Sequence, residues 1–398
     1  MCSSSHWWEH QSRSWLVLAR LFHQRAPAMP RMTFKASNWY IAVAAVLFAD
    51  IMGGCRSDPA FDQVHTPTHV EFEELFALED TIRLDTTVLI GSITMLDVNS
   101  KGEFLVLDRQ GEGVHVFSQP GGYLRTLSIT DCNPEATFGF SAQLTFLSDS
   151  QVFILTSKGA LVFDESGRCT QSNMAPEFAT DTWAACLHRD TIFAMSRSVP
   201  DGAMIRAYDM DLAFVDQFPL PAPRFPRRAS VSHPHQGRAM SCFDNDIWWV
   251  YGESFDVTPR LRRGDLTRFK PNFYIERERD YPEVPLVDQS NFREITQLLG
   301  KAEAEASSVL GVFALDETTR LVMYGGIRSD NGERGMGALV ASHKDDMAGV
   351  STLFPKFPGA TKQGNLYFVE DPEDHTDGEF TNPLIIRYQF TPPKDWAR

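Results

Sequence analysis

From Ile93 onward the chain is written in short β-type phrases. ITMLDV, FLVLD, VHVFS and YLRTL follow one another, separated by NSKG, RQGEG and QPGG. Apolar residues fall at alternate or consecutive positions and helical periodicity is missing, so these runs predict strands joined by tight turns. The dense apolar content of FLVLD and VHVFS predicts strands covered on both faces. Gly102 and the Gly121–Gly122 pair are expected to supply the positive φ of hairpin turns.

The phrase recurs. Later copies open at Ala142, Trp183, Gly237, Gly311 and Ala360. The second strands centre on Leu105, Phe153, Phe193, Trp248, Val322 and Tyr367, at spacings of 48, 40, 55, 74 and 45 residues. Four-stranded units at such periods predict the blades of a β-propeller. The sixth copy ends after its third strand, near Phe390, while TIRLD, Thr81 to Asp85, stands before the first copy as an orphan. Pairing the two closes the ring and removes an exposed sheet edge. The expected fold is all-β: a six-bladed propeller of four-stranded antiparallel blades over residues 79–392, closed by an N-terminal strand. A β-sandwich or two small β domains is the alternative. One small helical insertion is expected, because Phe292, Ile295, Leu298 and Leu299 form a stripe at helical spacing and Asn291 with Glu294 suits a helix start.

The N-terminus reads as an address. Arg31 and Lys35 precede an apolar run from Trp39 to Met52, and Gly53–Gly54 precede Cys55. This is the order of a lipoprotein-type signal peptide, in which the cysteine is acylated and begins the mature chain. Met52 and Asp50 depart from the pattern. The run is shorter than the roughly 20 residues of a membrane-spanning helix. Residues 1–28 have no part in this scheme, so Met29 or Met32 is the expected start, residues 1–54 a removable N-terminus, and residues 55–78 a tether.

Net charge is −15, and residues 1–54 hold five basic and two acidic residues, which leaves −18 for the rest. So acidic a body argues against nucleic acid as a partner. The cysteines Cys132, Cys169, Cys186 and Cys242 form no CxxC pair. In an exported protein they can form two disulfides with three connectivities; the alternative is four buried thiols.

The first copy, ITMLDVNSKGEFLVLDRQGEGVHVFSQPGGYLRTL, resembles an NHL-type blade. With the lipobox-like Cys55, the chain resembles the TolB-like six-bladed propeller lipoproteins of bacterial envelopes, over about Glu71 to Phe390. That resemblance implies fold and export, with a lipid anchor as the only membrane contact. Arg56 after Cys55, with no Asp at the second mature position, implies the outer membrane. It implies no single activity.

Propellers carry functional groups at the channel mouth. The long insertions Phe218 to Gln236, Glu276 to Leu310 and Asp371 to Thr381 are all expected on one face. The first is basic, and Arg224, Arg227, Arg228, His233, His235 and Arg238, with Arg109, are the candidate ligand-binding residues, since arginine suits carboxylates and phosphates. The alternative is a solvated loop. His233 and His235 lack a positioned third ligand, DPEDHTDGE lacks EF-hand spacing, and no metal or cofactor is expected. Trp248 and Trp249 suit carbohydrate stacking or, pointing to opposite faces of one strand, packing between blades. Catalytic residues are not identifiable, since GxSxG, GxxxxGK[ST] and HExxH are all missing. The expected function is a non-enzymatic binding module for a peptide, glycan or partner protein of the envelope. A propeller enzyme (lyase, lactonase or glycan hydrolase) and a structural subunit of an envelope assembly are the alternatives.

Overall fold

The computed structural model describes residues 64–65, 67–108, 110–111, 113–138, 143–156, 158–174, 182–196, 204–220, 238–242, 247–250, 256–258, 267–269, 308–342, 349–371 and 381–397. The chain divides into two compact units, Met1–Ala60 and Phe61–Arg398, and every described residue belongs to the second.

The first elements are β1 (Val64–His65), β2 (Thr68–His69), the short helix α1 (Phe72–Leu75) and β3 (Phe76–Arg83). The repeats follow in chain order. The first gives β4 (Ile93–Val98), β5 (Phe104–Asp108), β6 (Gly113–Phe117) and β7 (Tyr123–Leu127), then helix α2 (Ile129–Cys132). The second gives β8 (Gln143–Ser148), β9 (Gln151–Leu155), β10 (Ala160–Asp164) and β11 (Cys169–Asn173). The third gives β12 (Thr182–His188), β13 (Thr191–Ser196), β14 (Met204–Tyr208) and β15 (Phe214–Pro219). The fourth gives β16 (Met240–Cys242), β17 (Ile247–Val250), β18 (Asp256–Thr258) and β19 (Thr267–Phe269). The fifth gives β20 (Ser308–Ala314), β21 (Thr319–Ile327), β22 (Arg334–Ser342) and β23 (Gly349–Phe354). The sixth gives β24 (Ala360–Lys362), β25 (Asn365–Glu370) and β26 (Leu384–Phe390).

The strands pair into antiparallel four-stranded sheets, two of them extended by a short fifth strand, and together they make a β-propeller arrangement. The innermost strands β4, β8, β12, β16, β20 and β24 touch in that order, and β24 returns to β4. The sixth sheet takes its outer strand from the N-terminus: β3 pairs with β26, with Thr81 opposite Ile386 and Phe76 opposite Phe390. The closing strand therefore starts at Phe76, before the TIRLD run, and the ring closes as the orphan strand requires.

The hydrophobic cores lie between the sheets, which explains the dense apolar runs. In β5, Phe104 and Val106 face the sixth sheet, while Leu105 and Leu107 face the second. In β17, Trp249 packs with Phe193 and Met195 of the third sheet, and Trp248 with Val309, Val312 and Val322 of the fifth. Period-2 alternation on a strand buried on both faces leaves each middle strand nearly all apolar. The tryptophans are thus core residues, and stacking on carbohydrate is overturned for both by their burial at 4% and 2% exposure.

Two further findings differ from the expectation. The segment expected as a tether is pinned from Val64 onward. β1 adds in parallel to β19, and β2 adds in parallel to β23, so the N-terminal chain laces the outer edges of the fourth, fifth and sixth sheets in turn. Strands this short carry no readable alternation. The second concerns glycine. Gly102 and Gly121 have φ of 77° and 93°, as hairpin turns demand, whereas Gly122 is not in that region. A Cβ on Gly121 would lie 2.0 Å from the Arg83 carbonyl oxygen. Among the described residues no helix is long and apolar enough to cross a membrane. The expected helix around Phe292 to Leu299 lies outside the described residues.

Candidate functional site: the exit end of the central channel

Each inner strand enters the ring at one face and leaves it at the other, where a short turn leads to the second strand. The expected insertions 221–237, 270–307 and 372–380 lie outside the described residues. The central cavity, about 870 Å³, is lined by inner-strand residues of all six sheets and by residues of the turns after β4, β12, β20 and β24. Asp97 and Ser100, Gln143 and Thr145, His188 and Arg189, Ser241 and Cys242, Asp316 to Thr318, and Thr361 to Gln363 come from the six sheets in order. Among the described residues this cavity reaches the exit face.

Arg238, a predicted ligand-binding residue, closes the inner end of this cavity. It precedes β16, and its Nη2 donates to the carbonyl of Leu96 at 2.8 Å and to that of Gly359, crossing from the fourth sheet to the first and sixth. Its guanidinium carbon lies 4.9 Å from the ring centre of Phe313. Its backbone carbonyl accepts from Val312 N at 2.8 Å. Gly311 permits this approach, since a Cβ there would sit 2.7 Å from Arg238 Cβ. Burial holds the Arg238 pKa below the ordinary arginine value, and the nearby Asp97 carboxylate opposes that shift. Arg238 thus braces the channel through Nη2 and also lines the cavity, so of the predicted ligand-binding residues it is the one the described structure places at this site. The other candidates, Arg109, Arg224, Arg227, Arg228, His233 and His235, lie outside the described residues.

The inner wall is tied laterally. Asp97 Oδ2 accepts from Thr145 Oγ1 and Phe146 N, both at 2.8 Å, joining the first and second sheets. Ser241 Oγ accepts from Ala314 N at 3.1 Å, and Thr361 Oγ1 donates to Ala314 O at 2.7 Å. A disulfide, Cys186–Cys242, joins the inner strands of the third and fourth sheets, with Cα atoms 5.6 Å apart. The second disulfide, Cys132–Cys169, ties α2 to β11 with Cα atoms 5.3 Å apart. Both separations suit a disulfide. The open choice between free thiols and three connectivities is thereby decided, by strand neighbours that sequence spacing does not reveal.

The polar groups at the exit rim differ in how far they are committed. Asp316 accepts from Thr318 N at 2.7 Å and Thr318 Oγ1 at 3.1 Å. Asp149 accepts from Ser100 N at 3.0 Å, and its pKa is lowered chiefly by the Ser100 hydroxyl, with help from Lys101 and Lys362. Among the described residues no ion pair joins two cavity-lining side chains, and no group of three His, Cys, Asp or Glu residues is placed to hold a metal. Sequence reasoning passed over the exit-rim residues because they occupy short turns. The signal available was that these turns (NSKG, RD, DET, KQG) carry charge where asparagine–glycine pairs would suffice.

No protein-family model matches the chain, and no curated protein matches its sequence. Its shape is similar to that of an exported protein from Bacteroides fragilis NCTC 9343, at a TM-score of 0.54 and 9% identity, over 83% of this chain and 99% of that one. It is also similar to a member of the DUF4221 family from Bacteroides vulgatus ATCC 8482, at a TM-score of 0.54 and 10% identity, over 80% of this chain and 98% of that one. Virginiamycin B lyase from Staphylococcus aureus overlaps more loosely, at a TM-score of 0.41 and 12% identity, over 79% of this chain and 100% of that one. At these identities the likeness shows the fold alone.

Proposed function

We propose that this protein is a six-bladed, lipid-anchored β-propeller of the bacterial cell envelope, held at the outer membrane through Cys55. Its propeller acts as a binding module, and the exit-face cavity holds a peptide, a glycan or a segment of a partner protein. The observation that carries the binding reading is the cavity itself. It is closed inward by Arg238 and polar at its rim, and its volume falls within the 300–1,000 Å³ of small-ligand sites. Two of its three lining carboxylates, Asp97 and Asp316, already accept hydrogen bonds from neighbouring backbone and hydroxyl groups, which favours binding over acid–base work. Six sheets with their inner strands in one closed order support the blade count. Export is supported by the lipobox-like run and by two disulfides, which persist in oxidising compartments. The exported neighbour of the same fold agrees with it.

The cavity is tested by a thermal-shift screen with short peptides and oligosaccharides against the wild type and Thr318→Trp, which fills the rim. A ligand of the cavity raises the melting temperature of the wild type, by about 2.7 kcal/mol of stabilisation at a hundredfold excess over Kd, and leaves the filled variant unmoved. Equal shifts in both would place binding elsewhere. The anchor is tested by Cys55→Ser, which is expected to release folded propeller from the membrane fraction; a variant that stays membrane-bound refutes the lipid anchor.

A further inference from the structure

Three non-glycine residues of the described chain hold a left-handed backbone, and two of them, Arg189 (φ 53°) and Gln363 (φ 49°), line the exit cavity. Arg189 opens the two-residue turn between His188 and Thr191, which pair across β12 and β13. The turn geometry demands positive φ there, a demand that glycine or asparagine meets at little cost and arginine does not. A strained long cation kept at such a position invites a functional reason.

The surrounding charges supply one. Arg238 is buried with Nη2 bonded to two carbonyls, Lys362 lies in the field of Asp149, and Asp97 and Asp316 hold hydrogen bonds within the wall. Arg189 and Glu317 are the exposed rim charges with no ion pair or hydrogen bond among the described residues. They come from the third and fifth sheets and so flank the inner strand of the fourth, where Ser241 and Cys242 line the cavity. The result is an uncommitted cation and an uncommitted anion on either side of one polar wall, above a partly apolar lining that includes Met95, Met240 and Phe313.

We infer that the cavity takes a short zwitterionic peptide, with Arg189 receiving the terminal carboxylate and Glu317 the terminal ammonium. This rests on the reading of the exit cavity as the binding site and names the ligand class for it. A guanidinium takes a carboxylate through two parallel hydrogen bonds, which neither a sugar hydroxyl nor an amide can return.

The test uses trialanine, its N-acetyl form, its C-terminal amide, and maltotriose as an uncharged saccharide, measured by calorimetry on the full chain. Trialanine is expected to bind the wild type, each blocked form at least tenfold more weakly. Arg189→Gly is expected to weaken trialanine at least tenfold, to leave the amide unchanged, and to melt no lower than the wild type, because glycine relieves the turn. Glu317→Gln should weaken trialanine and leave the N-acetyl form unchanged. A lower melting temperature in Arg189→Gly, or undiminished trialanine binding, overturns the inference by making Arg189 a structural or idle residue. Binding of maltotriose alone, lost in Thr318→Trp, overturns the peptide class while the cavity stands. No binding of any of the four overturns the peptide class, and equal binding to Thr318→Trp overturns the cavity reading as well.

Discussion

The brace at Arg238 can be removed in two steps. Arg238→Met keeps most of the side-chain volume and removes the hydrogen bonds to Leu96 and Gly359; Arg238→Ala also removes the packing on Phe313. A hydrogen bond from a charged donor contributes about 1.5–3 kcal/mol. Two of them, with a cation–π contact of about 0.5–1 kcal/mol, give a gross loss of roughly 4–7 kcal/mol. Against this stands the cost of desolvating the guanidinium, seen in the lowered Arg238 pKa. Both carbonyls are left without their donor in either variant, so the expected net loss is roughly 3–5 kcal/mol for alanine and about 1 kcal/mol less for methionine, whose chain still covers Phe313. Urea unfolding followed by tryptophan fluorescence reads the difference, with the m-value checked for constancy. A loss below about 1 kcal/mol in Arg238→Ala would refute the brace.

Three further outcomes are expected. Asn382 is buried and clasps the ring closure, its Oδ1 accepting from Ile90 N and its Nδ2 donating to the carbonyls of Asp85 and Val88, each at 2.7 Å. Asn382→Ala should cost about 2–4 kcal/mol in urea unfolding; a near-neutral result means the clasp does not secure closure. The disulfides close separations of 37 and 56 residues, so loop-closure entropy puts each at about 4 kcal/mol, and replacing either pair by serine should lower the melting temperature under non-reducing conditions only. If reductant leaves the wild-type melting temperature unchanged, the cross-links contribute nothing. His115 is buried beside Thr126, and burial lowers its pKa below the ordinary 6.5 against the opposing pull of Asp108. The unfolded chain then binds the proton more readily, so stability falls as pH drops below about 6.5. His115→Gln should flatten melting temperature against pH between about 7.5 and 5; an unchanged slope assigns the acid sensitivity elsewhere.

What could be read in the chain follows from period. A strand sandwiched between two sheets has to be apolar at every position, so FLVLD, QVFIL and IWWV announce themselves, and the orphan TIRLD announces its missing partner. Local turn chemistry was equally legible at Gly102 and Gly121. The proposed address at Cys55 is a reading of linear sequence too, and the Cys55→Ser fractionation decides it.

Tertiary structure decided everything that depends on which strands become neighbours. The pairing of Cys186 with Cys242 arises because β12 and β16 adjoin in the ring, across 56 residues of chain. Arg238 faces Leu96 and Gly359 because the channel is narrow enough for one side chain to span it, a distance no spacing encodes. The strands β1 and β2 form only because ready-made sheet edges accept them; two residues have too little apolar surface to form a strand unaided. The cavity exists because inner strands of six sheets line one axis, and convergence of this kind lies in the closure of the ring and in no single segment of the chain.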